Sequence, residues 1–188
     1  GVEEIIRHTQ ILAPTEVLLG SSLCLAEACL RHMDAYEGEG CQHWHRDRPH
    51  WQEHPLRTQY IHALIYLADV DESTHCFSIS PEAVDQPILD KEAQLARGGM
   101  VDLHGPAGTV VLFNLSVLHA ATIRPTPQER KSVQIYYGRR DQPHLSNHTT
   151  MPARLWRNHP DPEIRAFYSV LNPKSRAFAS AFGIDDTP

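Results

Sequence analysis

From Met100 to Gly138 the chain reads MVDLHGPAGTVVLFNLSVLHAATIRPTPQERKSVQIYYG. Short runs of β-branched, aromatic and aliphatic residues alternate with Gly and Pro punctuation at intervals too short for a packed helix. Two further runs, TQYIHALIYL (58–67) and HCFSIS (75–80), have the same character. The segment 87–97 reads as a short helix or loop excursion stopped by Gly98-Gly99, and Leu18–Met33 fits a helical face and a strand equally well. Helical signals are otherwise confined to the tail, where Asp161 is placed as an N-cap with Pro162 at the first helical position, ahead of KSRAFASAF. Evenly spaced short strands with helices only at the flanks predict a mainly β body, a sandwich or barrel. The jelly roll is the member of that group that accommodates metal at its open mouth.

At 188 residues the chain is most simply one domain, 1–188, long enough to bury roughly 70% of its unfolded surface without staples. A net charge of -6 without a long basic block argues against nucleic acid, and no apolar run approaches the roughly 20 residues of a membrane span. No leader pattern is visible at Gly1, so the cytoplasm is the expected location, and small molecules are the expected partners. The oligomeric state is open. Cys24, Cys29, Cys41 and Cys76 lack CxxC spacing and are expected as reduced, mostly buried thiols.

The composition departs from the ordinary in its 13 histidines, three of which (His43, His45, His50) crowd into EGEGCQHWHRDRPHW at residues 37–51. On an extended strand, residues two apart share a face about 6.6 Å apart, so His43, His45 and Asp47 project together while Trp44 and Arg46 turn away. A histidine and a carboxylate so placed can share one ion and leave room for a third ligand. His119 is the best third candidate, because it closes a strongly apolar strand where a buried imidazole needs a polar partner. If 125–128 form a hairpin loop, Ile123 sits opposite Arg130, which puts Arg130 on the face of His119 about 13 Å along the ladder. A guanidinium there suits a carboxylate, and the gap suits a short dicarboxylate reaching from the metal to Arg130.

The series His45-x-Asp47, distal His119, then Arg130 eleven residues later resembles the phytanoyl-CoA dioxygenase (PhyH) family of iron(II)- and 2-oxoglutarate-dependent oxygenases. The resemblance covers about residues 41–140. It implies a double-stranded β-helix (jelly-roll, cupin-like) core with flanking helices, iron(II) held by His45, Asp47 and His119, and 2-oxoglutarate held by the iron and Arg130. The N-terminal side is shorter than the resemblance leads one to expect. Where the family has a Pro-Gly-Ser-His type of segment, this chain has SISPE (78–82), and Ala121 stands where a serine or threonine often helps hold the cosubstrate. Thr122 is then the substitute candidate, with Tyr60 or His62 as weaker pocket candidates on the face shared by Tyr60, His62, Leu64 and Tyr66.

The implied activity is oxidation, usually hydroxylation, of a small organic molecule, with O2 consumed and succinate and CO2 released. Retention of Asp47 argues against halogenation. The rival from another class is a jelly-roll or cupin-type metal- or ligand-binding module without turnover, which would have no use for Arg130. A three-histidine site using His43 would leave Asp47 and Arg130 without roles.

Overall fold

The computed structural model describes residues 1–47, 51–144 and 148–185; His50, part of the crowded stretch, lies outside them. The elements in order are α1 (Val2–Ile6), α2 (Thr9–Leu19), β1 (Leu23–Met33), β2 (Cys41–Gln42), β3 (Tyr60–Tyr66), β4 (Cys76–Ile79), α3 (Lys91–Gly98), β5 (Val101–Leu103), β6 (Val110–Asn114), β7 (His119–Ile123), β8 (Arg130–Arg139), α4 (Ala153–Trp156), α5 (Pro162–Tyr168) and α6 (Pro173–Ala181). Two four-stranded sheets form, in the orders β1-β8-β3-β6 and β2-β7-β4-β5, so the mainly β architecture with flanking helices is what the strand spacing predicts.

The undecided segment 18–33 holds both readings in succession: α2 ends at Gly20, whose left-handed backbone (φ 61°) favours glycine, and β1 begins three residues later. Asp161 caps α5 by accepting from the Glu163 N–H at 2.8 Å, with Pro162 at the first turn. The excursion at 87–97 is a helix, α3, capped by Asp90, which accepts from the Ala93 N–H.

By contacts the chain groups into two compact units. One comprises residues 1–28, 59–61 and 135–188 and carries the helices α1, α2 and α4–α6. Here Tyr60 is buried, its hydroxyl donates to the Pro143 carbonyl, and its ring fills the space beside Gly138, where a Cβ would lie 2.5 Å from Tyr60 Cε1.

The other unit, 29–58 and 62–134, holds α3, the whole β2-β7-β4-β5 sheet, β6, parts of β1, β3 and β8, and the apolar cluster Leu64, Tyr66, Val70, Cys76, Phe77, Phe113 and Val117. Its members come from β3 and β6 of one sheet and β4 of the other, with Val70 and Val117 from the segments that connect strands. Leu64, Tyr66 and Cys76 have no exposed surface, and each large apolar side chain so buried contributes about 1.5–3 kcal/mol.

The expected hairpin at 125–128 does not form. β7 and β8 belong to different sheets, and 124–129 crosses between them. Pro125 and Pro127 offer no N–H to a ladder, and Thr126 instead exchanges two backbone hydrogen bonds with Tyr36, at 2.7 and 2.8 Å. Arg130 therefore does not lie down a ladder from His119. It reaches the interior from the opposite sheet.

Glycine in a strand interior ordinarily costs stability relative to alanine by about 0.5–1 kcal/mol. At Gly138 the sign reverses: Gly138→Ala forces the Tyr60 ring to move, and urea unfolding should show a loss of about 1–3 kcal/mol.

Candidate metal centre

His45 and His119 form an antiparallel bridge, exchanging two backbone hydrogen bonds of 2.9 and 3.0 Å. It continues the register of β2 against β7, in which Cys41 faces Ile123 and Gln42 faces Thr122. Directly opposed residues share a face, and the two imidazoles meet edge to face with centroids 4.3 Å apart. Asp47, two residues on and held by its N–H to the Leu115 carbonyl at 3.1 Å, turns to the same side. Its Oδ1 is 3.8 Å from His45 Nε2 and its Oδ2 is 3.8 Å from His119 Nε2.

Each histidine is oriented by its own backbone. His45 Nδ1 lies 2.9 Å from the His43 carbonyl and His119 Nδ1 lies 2.8 Å from that of Val117. Since a carbonyl only accepts, Nδ1 carries the proton in both rings and the Nε2 lone pairs are left to face Asp47. The donor atoms of His45, Asp47 and His119 lie within 4.8 Å of one another. Two ligands adjacent on an ion at about 2.1 Å sit roughly 3 Å apart, so small side-chain shifts would close the set around one ion. The geometry, the donor types and the fixed tautomers fit a divalent transition metal.

The three sites differ in exposure: the His119 side chain is 5% exposed, Asp47 22% and His45 54%, so the centre opens on the side of His45. Phe77 and Phe113 flank His119, with ring centroids 5.4 and 5.1 Å away. Burial pushes His119 down to about 4, against the pull of the Asp47 carboxylate, so the ring is neutral at physiological pH, as a ligand must be. His62 is also buried here, with Nδ1 3.7 Å from Asp47 Oδ2 and its ring 4.5 Å from Phe113, whereas Tyr60 is engaged with Pro143 as described.

Arg130 begins β8, is 3% exposed, and its Nε and Nη1 have no hydrogen-bond partner among the described residues. Burial depresses its pKa, and the titratable groups acting on it are Tyr66 and Cys76, both in the interior cluster. The Leu67 N–H donates to the Lys131 carbonyl at 2.9 Å, a pairing that sets Ser132 opposite Tyr66. Ser132 shares a face with Arg130, is 1% exposed, and its Oγ is likewise without a partner. The strand parity of Arg130 and Ser132 was available in the sequence and would have suggested this residue.

Thr122 is not on this face. Three residues from His119, it points to the other side of β7, where Gln42 Nε2 donates to its hydroxyl at 2.7 Å and Ser78 bonds it. That far side carries a polar row in which Ser78 and Arg124 both bond Asp102. Cys76, Asp102 and His104 also gather there, as do His32, Asp34 and Glu129 elsewhere. In the first group Arg124 already neutralises Asp102, and the second is fully exposed.

A family model for phytanoyl-CoA dioxygenase (PhyH) matches residues 6–132. The chain belongs to the PhyH family. Among solved structures, the PhyH chain is similar to EctD from S. alaskensis with bound Fe (TM-score 0.65, 19% identity, covering 81% of this chain and 58% of that one). It is also similar to HygX from Streptomyces hygroscopicus with nickel and 2-oxoglutarate bound (TM-score 0.60, 18% identity, 77% and 67%). A third is SnoN, a non-heme alpha-ketoglutarate-dependent epimerase of nogalamycin biosynthesis (TM-score 0.61, 19% identity, 73% and 56%). These likenesses establish the jelly-roll fold, and the PhyH chain spans less than two thirds of the length of EctD and SnoN. No curated protein matches the sequence. Among the described residues no helix is long and apolar enough to cross a membrane.

The depressed pKa of His119 fixes the sign of a pH effect. Its neutral form is favoured in the fold, so the stability it contributes is present above the unfolded value near 6.5 and is lost as pH falls toward about 4. The metal-free protein should lose on the order of 3 kcal/mol through this group across that window, and His119→Gln should flatten that part of the denaturation profile.

Proposed function

We propose that this PhyH-family chain is a non-haem iron(II)- and 2-oxoglutarate-dependent dioxygenase that oxidises a small organic molecule. The observation that carries the reading is Arg130, a buried guanidinium whose Nε and Nη1 have no partner among the described residues, on the interior of a fold that also gathers His45, Asp47 and His119. A buried cation without an anion costs several kcal/mol, so the site calls for a carboxylate. In 2-oxoglutarate the distal carboxylate would meet Arg130, with Ser132 Oγ as a second donor, while the 2-oxo acid end goes to the metal.

Formal charge supports the match: two positive charges from iron(II) and one from Arg130 balance one from Asp47 and two from the cosubstrate. A metal- or ligand-binding module without turnover has no such need for Arg130. His45, Asp47 and His119 would hold the metal, a two-histidine, one-carboxylate donor set that suits iron(II) chemistry with an oxo acid and dioxygen. Iron(II) there would supply the redox chemistry in which O2, 2-oxoglutarate and a substrate C–H become succinate, CO2 and an alcohol.

The residues' own tasks are orientation and exclusion of water. The Val117 and His43 carbonyls keep Nε2 of His119 and His45 free for the metal, and Phe77 and Phe113 keep water from the inner side of His119. The exposed flank at His45 leaves a side for substrate to approach. EctD has been solved with 2-oxoglutarate and 5-hydroxyectoine, which supports a small polar molecule as the class of substrate.

Anaerobic addition of iron(II) and then 2-oxoglutarate to metal-free protein should produce the visible charge-transfer band of the chelate. Asp47→Ala should abolish it, and Arg130→Ala should raise the 2-oxoglutarate concentration needed by about a hundredfold, the loss expected for a desolvated charge-assisted pair. Absence of the band in the unaltered protein would refute the assignment.

A further inference from the structure

The segment SISPE is where this chain departs from the family pattern, and it ends in a carboxylate with an unusual position. Glu82 and Arg46 form an ion pair whose side chains are 5% and 7% exposed. Arg46 lies between His45 and Asp47 but points to the opposite face. Its Nη1 also donates to the Ser116 carbonyl at 2.5 Å, and its Nη2 to that of Leu89 at 3.3 Å. Glu82 Oε1 accepts from the N–H of Leu118, the residue before His119, at 2.8 Å, and Oε2 lies 3.8 Å from Arg97 Nη2.

The regular pairing of the two ligand-bearing segments stops at the His45–His119 bridge. Beyond it one backbone bond, from the Asp47 N–H to the Leu115 carbonyl, continues between them, while the Ser116 carbonyl accepts from Arg46 and, on the β4 side of β7, the Leu118 N–H donates to Glu82, the two side chains being themselves joined. The carboxylate is in turn anchored. The Ser80 N–H donates to the Leu118 carbonyl at 2.9 Å, and the buried Gln94 of α3 donates to Ser80 Oγ and the Pro81 carbonyl, both at 3.1 Å. α3 closes so tightly that a Cβ on Gly98 would sit 2.5 Å from the Pro81 carbonyl oxygen.

We propose that Arg46 and Glu82 are positioning residues for the metal centre, a clamp on the far face of the sheet that sets His45 and Asp47 at their spacing from His119. The inference rests on the reading of those three as the metal ligands. Neither residue touches the ion. Their effect passes through the backbone of residues 45–47 and 116–119, to which the pair is attached at both ends. A buried ion pair adds little net stability over an apolar pair of the same volume, and this one bridges the two segments that carry the ligands.

The test is equilibrium titration of the metal-free protein with cobalt(II), reading affinity by competition and geometry by the visible d–d bands. The unaltered protein should bind one equivalent that His45→Ala abolishes; no such equivalent would withdraw the ligand assignment and the clamp with it. Given that binding, Arg46→Lys and Glu82→Gln, which keep side-chain volume, should each weaken cobalt affinity about tenfold or more and alter the bands. The alanine variants should weaken it further, and Arg46→Ala with Glu82→Ala together no more than the worse single change, since one clamp is lost either way. Unchanged affinity and bands in the conservative variants, with only a lower melting temperature, would leave the ligand assignment standing and overturn the clamp.

Discussion

The double backbone hydrogen bond between His45 and His119 is the contact on which the rest of the centre depends. It joins two segments far apart in sequence and, because opposed residues in an antiparallel pair share a face, it delivers both imidazoles to one side. Everything else is local to that bridge. Each ring is turned by a carbonyl two residues back in its own chain, and Asp47 arrives two residues after His45. The wider β2–β7 register carries the same parity outward, so Gln42, Arg46, Thr122 and Leu118 fall on the far face, where polar side chains tie the strands together.

The interior combines two environments that oppose each other. Leu64, Phe77 and Phe113 make it apolar, which holds His119 neutral and lowers the pKa of Arg130, while Arg130 and Ser132 place unsatisfied donors in the same sheet interior. An orphaned buried donor typically costs about 1–3 kcal/mol, more when charged. Such a cost is tolerated where a ligand removes it, and a dicarboxylate bridging metal and guanidinium removes both charges at once.

Much of this was legible in the sequence because strand parity is a strict rule: it paired His45 with Asp47 and turned Arg46 and Trp44 away. What failed was longer in range. The prolines at 125 and 127 signal a break in pairing, and a hairpin and a crossing between sheets need the same break, so local chemistry could not tell them apart. Arg130 reaches the interior by the second route. Thr122 and Tyr60 were proposed from proximity in sequence or on a strand, but Thr122 has the wrong parity and Tyr60 has its hydroxyl on the Pro143 carbonyl. Glu82 carried no local signal beyond its departure from the family pattern, since its partners, Arg46 and the Leu118 N–H, are 36 residues away on either side.

The most direct measurement is a crystal structure of the protein grown anaerobically with iron(II) and 2-oxoglutarate, with the metal located by anomalous scattering at the iron edge. The account predicts one ion about 2 Å from His45 Nε2, His119 Nε2 and an Asp47 oxygen, and a cosubstrate carboxylate on Arg130. Iron at Cys76, Asp102 and His104 instead, or a carboxylate bound away from Arg130, would contradict it.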